Sequence, residues 1–119
     1  MLGPEDPETG NTLNSLAHAF HKQEKLDEAK PLYERALAIR EKTLNQWHPD
    51  LAKTLHNLAF INMRQRNFGA AQLQLERFVQ IRERQFGKNN PRVAEILDYL
   101  GEVLLEQNKV NIKTNLLAR

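Results

Sequence analysis

The chain is 119 residues long, with 40% hydrophobic and 27% charged residues, enough apolar material for one domain provided it is patterned onto one face of each element. Its 17 Lys and Arg against 15 Asp and Glu leave a net charge of +2, too small to hold nucleic acid or a membrane surface through bulk electrostatics. It has no cysteine, which excludes disulfides and thiolate metal sites and fits a reducing compartment, and no apolar stretch of the roughly 18 residues that cross a bilayer, so it is expected to be soluble and cytoplasmic.

Asp6-Pro7 marks the start of the first helix: a side-chain acceptor able to cap unpaired amides, then a residue whose fixed φ and missing N–H suit the first helical position. Leu13, Leu16, Ala17 and Phe20 follow at i, i+3, i+4 and i+7, one buried stripe, which predicts a helix over 7–22. After the polar break Gln23-Glu24-Lys25, a second stripe through Leu26, Ala29, Leu32 or Tyr33, Ala36 and Leu37 predicts a helix over 26–43. Pro31 lies within a turn and a half of its start, so this helix either begins later or kinks there; an interior break would cost about 3 kcal/mol. His48-Pro49 repeats the start signal with a weaker cap, and Asn90-Pro91 repeats it fully, giving helices over 49–65, 68–86 and 91–107. A short sixth helix is expected over 110–118, although Val110-Asn111-Ile112-Lys113-Thr114-Asn115 contains β-branched residues and Asn that compete with a helical backbone.

These elements repeat. Pro7, Pro49 and Pro91 are 42 residues apart, and that register superposes Leu2, Leu44 and Phe86; Leu13, Leu55 and Leu97; Leu16, Leu58 and Leu100; Ala17, Ala59 and Gly101; and Gln23, Gln65 and Gln107. A period of this length signals an all-α solenoid of helical hairpins, in which each unit buries its apolar face only by stacking on a neighbour. The units are 2–43, 44–85 and 86–119, the last with a truncated or capping final helix.

The stretch Leu2-Gly3-Pro4-Glu5-Asp6-Pro7, then Thr12-Leu13-Asn14-Ser15-Leu16-Ala17, then Leu26-Asp27-Glu28-Ala29-Lys30-Pro31-Leu32-Tyr33-Glu34-Arg35-Ala36-Leu37 resembles the tetratricopeptide repeats, in the 42-residue variety of kinesin light chains and nephrocystin-3-like proteins. Unit two continues the resemblance with Thr54-Leu55, Asn57-Leu58-Ala59 and Ala71, and unit three with Asn90-Pro91, Val93-Ala94, Leu97 and Leu100-Gly101. It implies a right-handed superhelical array of about six helices that acts as a scaffold or adaptor. Four departures stand out. Phe78 occupies a position where the family places Ala, so its ring should push the next hairpin away or fill a gap. Lys113 stands in the register of Ala29 and Ala71, so the last helix cannot pack in the standard way. The family's Gly between paired helices is replaced by Glu24, Arg66 and Asn108, of which only Asn tolerates a left-handed backbone well. The loop motif over residues 2–6, which in the family follows a helix, here opens the chain, as in an excised fragment, a short natural array or an engineered one.

No phosphate-cradling glycine loop, nucleophile elbow or paired-carboxylate motif is present, so no catalysis and no cofactor are expected. His18, His21 and His56 could face one side, but without a fixed acidic or Cys ligand the structural or peptide-contacting role is preferred over a metal site. Trp47 is read as a lid over the junction between units, and Arg64, Arg66, Arg77, Arg82 and Arg84 as mostly solvated helix positions. Aromatic residues are not interleaved with the basic ones, so no nucleic-acid surface is expected.

In stacked hairpins the first helix of each unit lines the concave side. The groove candidates are Asn11, Asn14, Ser15, His18 and Lys22 from unit one, Lys53, His56, Asn57, Phe60, Met63 and Arg64 from unit two, and Glu95, Asp98, Tyr99 and Glu102 from unit three. The resemblance implies that this surface binds an extended peptide of a partner protein, with Asn14 and Asn57 holding its backbone. The charge grades from cationic to acidic along the groove, which predicts a peptide with an acidic stretch facing Lys22, Lys53 and Arg64 and a basic end facing Glu95, Asp98 and Glu102. The alternative is self-assembly, a homodimer or head-to-tail stack through the terminal hairpin faces.

Overall fold

The computed structural model describes residues 5–118; the Leu2-Gly3-Pro4 part of the opening motif lies outside them. Among the described residues five helices follow one another: α1 (Pro7–Lys22), α2 (Leu26–Thr43), α3 (Pro49–Arg64), α4 (Phe68–Phe86) and α5 (Pro91–Leu117). All three Pro-marked starts are capped as their sequences predict. Asp6 Oδ1 accepts from the Glu8 amide at 3.0 Å, His48 Nδ1 from Asp50 at 3.0 Å and Asn90 Oδ1 from Arg92 at 2.9 Å. Pro31 does not delay α2, which runs through it from Leu26; the ring sits on the exposed side.

The turns inside the first two units are left-handed at Glu24 (φ 62) and Arg66 (φ 63). Each closes in a double hydrogen bond: Lys25 N–H reaches Phe20 O at 2.9 Å and Glu24 N–H reaches His21 O at 3.0 Å, while Asn67 reaches Asn62 O at 2.7 Å and Arg66 reaches Met63 O at 3.1 Å. This is the Schellman arrangement, which satisfies carbonyls at a helix end but asks two L-residues to adopt a backbone that costs them roughly 1–2 kcal/mol. Gly87 (φ 86) takes the chain out of α4 at positive φ without that cost.

The helices pack as stacked hairpins, α1 on α2, α3 on α4, and α4 on α5. The core spans unit boundaries. Ala17, Ala29 and Tyr33 of the first hairpin bury Leu58 and Ile61 of the second, and Leu51, Ala59, Ala71, Leu75 and Phe78 of the second bury Val93, Ile96 and Val103 of α5. Leu37 touches both clusters. Trp47 packs on the second cluster with the Arg84 guanidinium 4.6 Å above its ring, as a lid should. The radius of gyration, 15.8 Å, exceeds the ~13.5 Å of a compact chain this long, because units add along one axis.

The end of the chain departs from the expectation of six helices. The turn predicted near 108 is not made, and the segment read as a sixth helix is the last third of the 27-residue α5. In the first two units the turn residue goes left-handed because closing the hairpin buries Ala29 and Ala71 completely. In the third, the same closure would push Lys113 into that space, an uncompensated buried charge. Remaining helical through Asn108 costs only its modest helix propensity, about 0.7 kcal/mol.

Candidate protein-binding groove

Eight of the sixteen residues of α3 are buried. What remains is a row at helical spacing, Lys53, His56 with Asn57, Phe60, Met63 and Arg64, and it faces a similar row on α5 formed by Arg92, Glu95, Tyr99 and Glu102. An aromatic column joins the rows. Phe78 stacks on His56 with centroids 5.0 Å apart and planes at 21°, His56 meets Phe60 edge-on at 4.8 Å, and Phe60 meets Tyr99 edge-on at 4.8 Å. The Phe78 ring thus fills the space between units, and buried at 5% exposure it leaves the next helix in contact.

The column sets the chemistry of its polar members. Burial pushes the His56 imidazole below its ordinary range, aided by the Arg82 charge and opposed by Glu95. Tyr99 donates its hydroxyl to Glu95 Oε1 at 3.0 Å, and that bond holds the phenol protonated above its usual range. His21 is also lowered, by burial first and then by His18 and Arg64. Among the described residues, no three potential ligands come together as a metal site.

Two clefts open between the rows. One, of about 470 Å³, gathers the predicted Lys53, His56, Glu95 and Tyr99 with four side chains that the helical spacing does not assign to the groove, Phe78, Arg82, Phe86 and Arg92. The other, of about 340 Å³, gathers Met63 and Glu102 with Arg66, Phe68 and Glu106. Arg82 is half-buried, with its guanidinium 5.5 Å from the Phe78 centroid and 5.8 Å from that of Phe86, so it is no solvated position. Its 42-residue relation to Arg40, visible in the sequence, was the signal for it.

The α1 residues lie outside these two clefts. Ser15, His18 and Lys22 are exposed, as is Asp98 on α5. Asn14 reaches across the junction, where its Oδ1 accepts from the Thr54 hydroxyl at 3.1 Å. Thr54 in turn accepts from Arg40 Nη1 at 2.7 Å, and Arg40 Nη2 donates to Asn11 Oδ1 at 3.1 Å. These polar groups clamp units one and two together. Asn57, the repeat mate of Ser15, is half-buried and makes no side-chain hydrogen bond among the described residues. Arg64 pairs with Glu24 at 2.7 Å, so part of its charge is already answered.

A family profile described as tetratricopeptide repeat matches residues 9–50, and a second one of the same description matches residues 50–110. The crystal structure of a kinesin light chain-type protein of Podosopora anserina, with nearly identical TPR-like repeats, superposes with a TM-score of 0.79 at 25% identity, covering 99% of this chain and 56% of that one. A single-substitution variant of the same protein gives 0.78 at 26% identity with the same coverage. The chain therefore spans just over half the length of these structures. A search among curated proteins finds no match. Among the described residues, no helix is long and apolar enough to cross a membrane.

Proposed function

The chain belongs to the tetratricopeptide repeat family, of kinesin light chain-like type, and from that premise we propose that it is a non-enzymatic module whose groove holds an extended segment of a partner protein. Repeats of this family generally serve protein–protein interaction. The observation that carries the finer reading is the pair of facing rows on α3 and α5, polar at their edges and floored by the Phe78–His56–Phe60–Tyr99 column. Such a trough supplies both apolar area for side chains and hydrogen-bonding groups for an extended backbone. Asn57 is the side chain best placed to hold that backbone. Charge orients the peptide, with its acidic stretch toward Lys22 and Lys53 and its basic end toward Asp98 and Glu102; Glu95 shares the cleft of Lys53 and accepts the Tyr99 hydroxyl, and Arg64 contributes less because Glu24 answers it. Anisotropy titrations of one such peptide and its charge-swapped version, at low and moderate salt, test this. Preference for the first, weakened by salt and lost in the Asn57→Ala, Lys53→Glu double variant, is expected. Equal affinities would remove the orientation, and an unchanged double variant would move the site off α3.

A second reading, assembly with another copy of this chain, is favoured by one surface. Gly101 and Leu104 hold the register of Ala17 and Phe20, which in the first unit pack with Ala29 and Tyr33 of the partner helix, whereas Leu16, expected in that buried stripe, is 46% exposed. Among the described residues α5 has no such partner helix, and Leu97, Leu104 and Ile112 remain 46%, 45% and 51% exposed. A second α5 offers the same stripe and would pair with it symmetrically. Sedimentation equilibrium distinguishes the cases. A defined dimer abolished by Leu104→Glu supports assembly; a monomer of 13.8 kDa at all concentrations removes it.

A further inference from the structure

Arg40 and Arg82 are one repeat apart and hold the same place near the end of their unit's second helix. Around Arg40 there are acceptors: Nη1 donates to Asp50 O at 3.1 Å and to Thr54 Oγ1 at 2.7 Å, and Nη2 to Asn11 Oδ1 at 3.1 Å. One repeat later, the positions of Asn11, Asp50 and Thr54 are filled by Lys53, Arg92 and Ile96. An amide has become an ammonium and a hydroxyl has become hydrocarbon; the main-chain carbonyl that Asp50 offers persists at position 92, but the carboxylate charge near Arg40 is replaced there by a second guanidinium. Arg82 donates instead to Gln85 Oε1 on its own helix, at 2.6 Å.

The result is a cleft whose charge is not balanced from within. Lys53, Arg82 and Arg92 all line it, and among the described residues none of the three is in an ion pair. Its one carboxylate, Glu95, accepts the Tyr99 hydroxyl. The Phe86 ring lies within cation–π reach of both guanidinium groups, 5.8 Å from that of Arg82 and 4.9 Å from that of Arg92, so one aromatic residue of the cleft wall contacts both cations. Burial and the neighbouring Arg92 charge both oppose protonation of Arg82, so the cluster is held together against repulsion. Planar guanidinium pairs receive oxyanions through parallel N–H···O bonds, which would relieve that repulsion.

We propose that this cleft is an oxyanion site in which Arg82 and Arg92, with Lys53 at the rim, receive a carboxylate or phosphate group carried by a side chain of the partner polypeptide. The site rests on the groove reading for the source of its ligand, but its anion chemistry can be tested without a peptide. Inorganic phosphate and, separately, acetate are titrated into isotope-labelled protein at constant ionic strength, following the Arg Nε–H signals by NMR. Saturable shifts at Arg82 and Arg92 are expected, weakened at least tenfold by Arg92→Gln, an exposed position where folding is not at stake, and unchanged by Arg64→Gln. Tighter binding of phosphate points to a phosphorylated side chain, and binding of acetate at least as tight points to Asp or Glu. The double variant Lys53→Asn, Ile96→Thr places the acceptors of the first junction beside Arg82 and should weaken anion binding at least tenfold. Linear shifts identical in wild type and Arg92→Gln would overturn the site. Saturable anion binding without any peptide affinity would instead leave the site standing and remove the groove reading.

Discussion

Arg40 donates through Nη1 to the Thr54 hydroxyl at 2.7 Å, joining the second helix of one unit to the first helix of the next. Both residues are buried, at 7% and 0% exposure, and Thr54 passes the chain of bonds on to Asn14. Hydrogen bonds to a charged group are worth about 1.5–3 kcal/mol, and more is lost when a buried partner is stranded. Thr54→Val is therefore expected to destabilise the fold by about 2 kcal/mol in urea unfolding. Asn11→Ala should cost less, because that side chain is exposed.

The left-handed turns give a prediction of opposite sign. Glu24→Gly removes a backbone penalty and one exposed ion pair with Arg64, so the melting temperature should rise by a few degrees. Arg66→Gly should gain less, since Arg66 also covers the Phe68 ring at 5.1 Å. A fall in melting temperature for Glu24→Gly would show that the turn is not strained.

The repeated glutamines behave as a graded clamp. Gln107 Nε2 donates to Gln72 Oε1 at 2.8 Å and to Phe68 O at 3.2 Å, fastening α5 to the start of α4. Gln65, one repeat earlier, donates instead to Asp27 Oδ1 at 3.0 Å, in the open. Gln107→Ala is expected to cost about 1 kcal/mol and to speed amide exchange beyond residue 107, while Gln65→Ala costs about half of that or less.

Stability should fall on mild acidification. His56 and His21 titrate below the ordinary imidazole value of about 6.5, each chiefly through burial. The unfolded chain then takes up protons first, so this contribution is complete above about pH 6.5 and is lost as the pH drops from there toward the lowered folded values. The urea midpoint at about pH 5.5 should lie below that at about pH 7.5, and His56→Gln should flatten the difference. An unchanged slope in that variant would show that His56 is not the desolvated group.

Much of this was legible in the residues themselves. The 42-residue spacing of the three prolines, the apolar stripes and the caps at Asp6, His48 and Asn90 located four helices to within a residue and the start of the fifth. The surface rows of α3 and α5 were legible too, because they are what remains after the buried stripe is removed. The Arg82 and Arg92 contribution was not. It comes from a second helix and a helix start, brought beside Lys53 only by stacking.

By itself, then, the sequence determined the hairpins, since periodicity, capping and proline act between residues a few positions apart. Only the tertiary structure decided that Asn14 accepts from Thr54 across a junction, that Asn108 stays helical, and that three cations share one cleft. Each of these depends on a contact far along the chain, such as Asn14 with Thr54, and on whether a buried slot can accept the side chain presented to it. Alanine fits that slot at positions 29 and 71; the ammonium of Lys113 does not, and the hairpin remains open.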